Sequence, residues 1–430
     1  MRTTQLGFWT MFLLALLAAS PQPRDPGPRP GADAGGMRPD LTSAEQALFR
    51  QGRTQFVSVE QLGDGLGPRF NLDSCGACHA QPAVGGTSPA TNPQVALATL
   101  KLDGAYNPVP AFLSPTGPIR EVRFRRDNAV HQLFVVSGYQ DATADARDCP
   151  IQQPAFPSGQ LAFRIPTALF GAGLIEQIPD AAIVANQQRD DDGEAQDQGG
   201  GAQDQGEDPP GKAALGIQGT VQPVDGHIGR FGWKAQHFSL ENFAGEAYNV
   251  EMGITNELSP TELDATAPAQ CQFAPVPNSL PPTDGGPSDV ELFAAFMRGL
   301  APPTPSRSVP GGAASIQHGA QVFRQIGCAA CHTPQLAGVP LFSDLLLHHM
   351  GQGLAEGITQ GQARGDQFRT APLWGVGQRL FLLHDGRTSD LLEAIRAHAS
   401  AGSEARAVLA RFDKLDVAGM QDLLNFLRSL

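Results

Sequence analysis

Lysine is almost missing from this chain, which has four among its 430 residues. Its formal net charge is −13, and only 17% of its residues are charged. Such a chain is a poor partner for nucleic acid or for an anionic membrane surface. Long apolar runs are scarce too. Leu6–Ala19, preceded by Arg2 and ending in Ala18-Ala19-Ser20, is the longest, and it is short for a membrane span. It reads as a signal peptide over residues 1–20, which implies a periplasmic or otherwise exported protein. Pro21 fits poorly with cleavage directly after Ser20, so a retained membrane anchor is the alternative. Cysteine is sparse, at six residues. What is abundant is apolar side chain, at 41%, together with 49 glycines and 36 prolines. That composition supports real cores joined by much irregular chain, and the length suits two or three domains.

Four of the six cysteines sit in two copies of one string, Cys75-Gly-Ala-Cys78-His79 and Cys328-Ala-Ala-Cys331-His332. C-x-x-C-H is the attachment signal for c-type haem. Each thiol forms a thioether to a haem vinyl group, and the adjacent His supplies imidazole to the iron. One copy is compatible with half of a zinc site, whereas two copies in one exported chain point to a di-haem protein. Export agrees, because c-type haem is attached outside the bacterial cytoplasm. Cys149 and Cys271 remain. In an oxidising compartment an even remainder suggests a disulfide, against the plainer reading of two unconnected thiols.

The expected fold is mainly α: two cytochrome c-like haem domains, the first elaborated with a β-containing insertion and long irregular loops. Residues 21–41 read as a Pro/Gly-rich linker. The N-terminal haem domain covers 42–300. It opens at Thr42-Ser43-Ala44-Glu45, a capping-box pattern, with a helix through Ala47, Leu48 and Phe49 that ends near Gly52. The insertion spans about 100–225. Ile119–Arg126 and His131–Val136 form a hairpin around Asp127-Asn128, and Leu161–Ile165 is a further strand. Residues 190–208 form an acidic, solvated loop. Residues 301–312 are a second linker, and 313–430 are the C-terminal cytochrome c-like domain. There Ile316, Ala320, Phe323 and Ile326 recur at helical spacing before Cys328. Val417, Met420, Leu424 and Leu427 share one face of a closing helix.

The sixth position of each iron decides between electron transfer and chemistry. For the second haem, a helix capped by Thr388, Ser389 or Asp390 puts Leu391, Ile395 and His398 on one apolar face. His398 is the first candidate ligand, although a lone His on such a face is otherwise a core residue. His348, His349 and Met350 compete, and His348 is held in reserve. At the first haem, no His or Met follows His79 before His131. That iron reads as open or weakly ligated, and so reactive.

Longer strings add a resemblance. They are Phe170 to Pro179 (FGAGLIEQIP), Gly229 to Ala235 (GRFGWKA), Val250 to Asn256 (VEMGITN), Ser343 to Gly351 (SDLLLHHMG), Phe368 to Gly375 (FRTAPLWG) and His384 to Arg387 (HDGR). With them, residues 42–430 resemble the bacterial di-haem c-type oxidoreductase family of peroxidase-like proteins, which also carries the label thiol oxidoreductase. That family is similar to di-haem cytochrome c peroxidases and to the di-haem enzyme that matures methylamine dehydrogenase. The thiol label gains nothing here, since no redox cysteine pair lies outside the haem strings.

The resemblance implies several roles. The His-Asp-Gly string at His384 precedes the helix bearing the axial ligand, which favours His398. Glu251 of Glu-Met-Gly stands as the distal acid/base, and Trp233 lies between the haems. Glu176 and Arg230 are reserves for the distal side, and His384 and Arg387 hold propionates or fix their loop. A Ca2+ ion is implied without assignable ligands. Two departures from the peroxidases stand out: the switchable His that often follows their first haem string is missing, and the two strings lie farther apart. Independently of any family, peroxide cleavage needs a proton moved between oxygens, and a carboxylate raised in pKa by burial does this.

The expected function is thus an exported di-haem enzyme. It reduces peroxide, or activates dioxygen, at the first haem, and the second haem relays electrons from a redox protein. The alternatives are a non-catalytic di-haem electron carrier and an enzyme oxidising an organic or protein substrate.

Overall fold

The computed structural model describes residues 22–30, 34–100, 108–125, 136–137, 155–156, 159–187, 210–261 and 274–430. The export segment, Cys149, Cys271, the acidic loop 190–208, Asp127-Asn128 and residues 131–135 lie outside the described residues. Among those described, thirteen α-helices stand against eight strands of two to four residues in four two-stranded sheets. The chain is mainly α. Among the same residues no helix is long and apolar enough to cross a membrane.

Helix α1 spans Ser43–Phe56. Its N-terminus is the expected capping box: Glu45 N–H donates to the Thr42 hydroxyl at 3.3 Å, and Thr42 N–H donates to the Glu45 carboxylate at 2.8 Å. The helix does not stop at Gly52, as the sequence led us to expect. Gly52 is where another helix crosses it. A Cβ there would lie 2.1 Å from the carbonyl oxygen of Leu292. The glycine therefore serves close approach, and the helix runs one turn further to bury Phe56.

Helices α2 (Leu240–Met252) and α3 (Asp289–Gly299) complete this part of the core. The α1–α3 crossing is filled by Phe49 and Phe56 against Phe296, with ring centroids 5.3 and 4.7 Å apart. Helix α4 (Ala313–Gln325) precedes the second cysteine string, and α5 (Leu391–Ala397) and α6 (Val417–Ser429) follow it. The α4–α6 crossing repeats the device, because a Cβ on Gly319 would lie 1.9 Å from the Asp422 carbonyl. Phe323 packs on Phe426 there at 5.4 Å. Phe323 and Ile326 are buried and Ile316 and Ala320 pack beside them, as their spacing predicts. The face of α6 is rotated from the expected stripe. Leu423, Leu424 and Leu427 are buried, Met420 is only partly so, and Val417 is exposed.

The expected 119–126/131–136 hairpin is not the described pairing. Strand Glu121–Phe124 pairs antiparallel with Leu161–Arg164, setting Val122 opposite Phe163, while Val136–Ser137 pairs with Arg69–Phe70. The first pairing buries Val122, Leu161 and Ala162 together. The strand expected at Leu161–Ile165 is present.

Among the described residues, two large apolar clusters result. The larger holds Phe49, Phe56, Tyr248, Phe293 and Phe296 and also takes Leu336, Leu341, Leu345, Leu346 and Trp374 from the later chain. The smaller holds Phe323, Phe412, Leu423 and Phe426 and takes Leu215 and Ile217 from the earlier chain.

Candidate haem centres

Both cysteine strings adopt one tight turn. Cys75–Cys78 is a short helix in which His79 N–H donates to Cys75 C=O at 3.0 Å. In the second, His332 N–H donates to Cys328 C=O at 2.9 Å. None of the four thiols is in a disulfide. Each histidine ring is then aimed by a carbonyl: His79 Nδ1 lies 3.0 Å from Gly86 O, and His332 Nδ1 lies 3.2 Å from Phe342 O. With Nδ1–H donating, Nε2 is left with its lone pair, the tautomer an iron requires. Burial pushes both imidazoles down to about 4, so they are neutral. The loop that returns the Gly86 carbonyl admits no side chain at that residue, since a Cβ would lie 1.9 Å from Gln81 O.

A cavity of about 1100 Å³, its solvent mouth included, opens beside His79. Its walls are mainly apolar, with Cys75, Cys78, Trp233, Tyr248 and Glu251 among the lining residues. Thiols outside any disulfide, a neutral imidazole and a mainly apolar cavity beside them fit a haem. The donor set at Cys328, Cys331 and His332 is the same.

Glu251, on α2, is half-buried and lines that cavity. Asn71 Nδ2 donates to its Oε2 at 2.7 Å. Burial pushes its carboxyl up to about 8, and the nearby Glu121 adds to this, while the Asn71 bond and Arg123 pull the other way. Trp233 also lines the cavity and donates from Nε1 to Ile165 O at 2.9 Å. On its other side its ring meets the His384 ring edge-on at 6.3 Å, and His384 stacks on Phe368 at 4.2 Å. The indole therefore joins the first cavity to the segment that leads into α5.

His398 caps the C-terminus of α5. The expected N-cap is Asp390, whose Oδ1 accepts from Glu393 N at 3.0 Å. His398 Nδ1 lies 2.8 Å from Ala394 O, which leaves Nε2 as the nitrogen that could ligate. It is close enough to His332 that a charge on one ring disfavours a charge on the other. His348 differs. Its Nε2 lies 2.9 Å from Asp344 Oδ2 and its Nδ1 lies 2.8 Å from Glu404 Oε2. Burial opposes a charge on this ring, but the Cys331 sulfur and Asp344 outweigh it, so the imidazolium is strongly favoured. If Cys331 is alkylated its sulfur no longer contributes, and the two carboxylates remain. In this arrangement His348 offers iron no nitrogen. Among the described residues, Cys331, Asp344 and His348 are the one group of metal-ligand type, and it lacks the all-oxygen character calcium prefers.

The other candidates have protein partners of their own. Glu176 accepts from Arg298 Nε at 2.7 Å and from Leu240 N at 2.8 Å. Arg230 is paired with Asp180. Neither is among the residues lining the cavity. His384 is buried and, pushed down to about 4 by burial, neutral. Arg387 pairs with Asp385 at 2.7 Å and donates to Gly353 O at 2.7 Å.

Sequence reading missed a buried charged node. Arg164 Nε donates to Glu356 Oε2 at 2.9 Å, Arg164 Nη1 donates to Gln360 at 2.7 Å, and Lys234 Nζ lies 3.3 Å from Glu356. It also missed Asn71 as the partner of Glu251. No local pattern marks residues that meet across such separations.

The family model described as "Di-haem oxidoreductase, putative peroxidase" matches residues 130–430. The chain belongs to this di-haem oxidoreductase family. The matched span holds Trp233, Glu251, His332 and His398, while Cys75–His79 lies before it. No curated protein matches the chain. Among solved structures, Kuenenia stuttgartiensis hydrazine synthase pressurized with xenon is 20% identical, with 34% of this chain and 56% of that chain covered and a TM-score of 0.26. A MauG-like protein associated with microbial copper homeostasis is 19% identical, with 33% and 52% covered and a TM-score of 0.26. The match thus covers about half the length of these solved proteins.

Proposed function

We propose that this chain is an exported di-haem enzyme that reduces peroxide at its first haem and draws electrons from a redox protein through its second. Cys75 and Cys78 hold the first haem by thioethers, and Cys328 and Cys331 hold the second, in two cytochrome c-like domains. His79 and His332 would each supply imidazole to an iron, and His398 would be the further ligand of the second. When bound, the first haem supplies an iron at which the oxygen–oxygen bond of peroxide is cleaved.

The chain's own residues do the rest. Glu251 takes a proton from one peroxide oxygen and returns it to the leaving oxygen. A carboxyl poised near working pH suits both halves of that transfer. Asn71 fixes the carboxylate's direction. Trp233, packed on His384, spans the gap toward the second centre and supports electron transfer between the two. The apolar walls limit water at the reacting atoms. A calcium ion is a further expectation of the resemblance, to which no residue is assigned.

The observation that carries this reading is the meeting of His79, Glu251 and Trp233 around one cavity. Absorption and paramagnetic resonance spectra of the loaded protein, with and without hydrogen peroxide, test it. One high-spin and one low-spin iron, with a prompt change at the high-spin iron on adding peroxide, are expected. Two low-spin irons inert to peroxide would overturn it.

A further inference from the structure

Arg123 holds a buried donor that meets no acceptor among the described residues. It stands on the strand Glu121–Phe124, which pairs antiparallel with Leu161–Arg164 and sets Glu121 opposite Arg164 and Arg123 opposite Ala162. Residues two apart on a strand, and residues opposite one another across a pair, share one face of a sheet. Glu121, Arg123 and Arg164 accordingly line the cavity beside His79, while Val122 is buried in the core. The two arginines end differently. Arg164 is taken up by Glu356 and Gln360. Arg123 is 5% exposed, its Nε donates to Glu121 Oε1 at 2.5 Å, and Nη2 turns to the same carboxylate. Nη1 is the donor left over. A buried N–H without a partner is costly, most of all on a charged group, so this one calls for a ligand.

The strand is also tied to the residue that holds Glu251. Gln94 accepts from Arg120 N–H at 2.8 Å, and its Nε2 donates to Arg120 O at 2.9 Å and to Asn71 O at 3.3 Å. Asn71 in turn donates to the Glu251 carboxylate. One chain of bonds thus runs from the strand carrying Arg123 to Glu251, and both residues line the cavity. The arginine's charge reaches the Glu251 carboxyl and pulls it down.

We propose that Arg123 is an anion-binding residue of the first centre, donating from Nη1 to a small anion held there. In turnover that anion is hydroperoxide. When Glu251 takes a proton from hydrogen peroxide, one O–H bond breaks, the proton goes to the carboxylate, and the electron pair stays on oxygen. Arg123 meets that oxygen, so the charge that leaves Glu251 is not left bare among apolar walls. Glu121 fixes the guanidinium from its other side. The identity of the anion rests on the peroxidase reading, whereas anion binding as such does not.

The test uses the full-length protein carrying both haems, titrated with fluoride and, separately, with neutral imidazole, and read by the absorption of the first haem. Arg123→Gln should weaken fluoride by about 10–100-fold and leave imidazole nearly unchanged. Arg123→Lys, which keeps the charge and a partner for Glu121, should lie between Arg123→Gln and the unaltered protein. Fluoride affinity unchanged in Arg123→Gln overturns the inference. So do fluoride and imidazole affinities that fall together, the mark of a structural role. A change confined to the propionate modes in resonance Raman spectra, with fluoride affinity kept, means that Arg123 holds the haem's own carboxylate and overturns it too. Loss of the first haem from both variants, or no fluoride binding in the unaltered protein, does the same. The peroxidase reading is judged apart, by adding hydrogen peroxide to the unaltered protein. Haem spectra that do not change there sink that reading, and the fluoride series still decides Arg123.

Discussion

Asn71 and Glu251, 180 residues apart in sequence, are joined twice: Asn71 Nδ2 donates to the Glu251 carboxylate at 2.7 Å, and Asn71 N–H donates to the Glu251 carbonyl at 2.7 Å. The second bond places the end of α2 against the chain entering the first cysteine string. The first sets the direction and acidity of the carboxylate. Replacing Asn71 with Leu removes a bond that stabilises the charged form. The Glu251 carboxyl should then rise further, moving the corresponding limb of the pH–rate profile to higher pH. An unchanged limb would remove Asn71 from the proton step.

Glu251→Gln keeps size and polarity but not the proton. The peroxide-dependent step should slow by about 10²–10⁴-fold with both haems attached, as stopped-flow absorption would show. The same variant should alter stability against pH. Glu251 is raised from 4.5 to about 8, so the folded state holds a proton that the unfolded chain releases. Its stabilising contribution is complete below about 4.5 and gone above about 8. Denaturant titrations of the Gln variant should show a shallower fall in stability across that window.

His398 and His348 should separate cleanly. His398→Ala opens the second iron, and its low-spin spectrum should become high-spin. His348→Leu should leave that spectrum low-spin but strand the Asp344 and Glu404 carboxylates. Breaking buried pairs of this kind costs about 3–5 kcal/mol, measurable by denaturant unfolding. The reverse pattern would make His348 the ligand.

The two helix crossings admit no side chain at their closest points. Gly52→Ala and Gly319→Ala each force a methyl against a carbonyl oxygen, at 2.1 and 1.9 Å. Each should destabilise by about 1–3 kcal/mol. Because the crossings support different cysteine strings, Gly52→Ala should disturb the first haem's spectrum and Gly319→Ala the second's.

These particulars show what the sequence made legible. Local chemistry was readable: the Thr42–Glu45 capping box, the Asp390 cap, the paired C-x-x-C-H turns and the helix carrying Phe323. Features that depend on distant partners were not. Gly52 looked like a stop because the helix that crosses it lies more than two hundred residues away. Strand 121–124 looked like half of a local hairpin because burial with Leu161 and Ala162 leaves no nearby mark. His348 was a reserve ligand behind His398, and the contacts of its two nitrogens with Asp344 and Glu404 leave no local mark. Glu251 and Trp233 came through resemblance. Asn71 needed coordinates.

The exchange of apolar residues between the two clusters sets how the molecule melts. Leu341, Leu345 and Leu346 complete the core around the first site, and Leu215 and Ile217 complete the core around the second. Neither core can open without pulling packing from the other. Heating should therefore give one cooperative transition, with calorimetric and van't Hoff enthalpies in agreement, and both haem environments should be lost at one temperature.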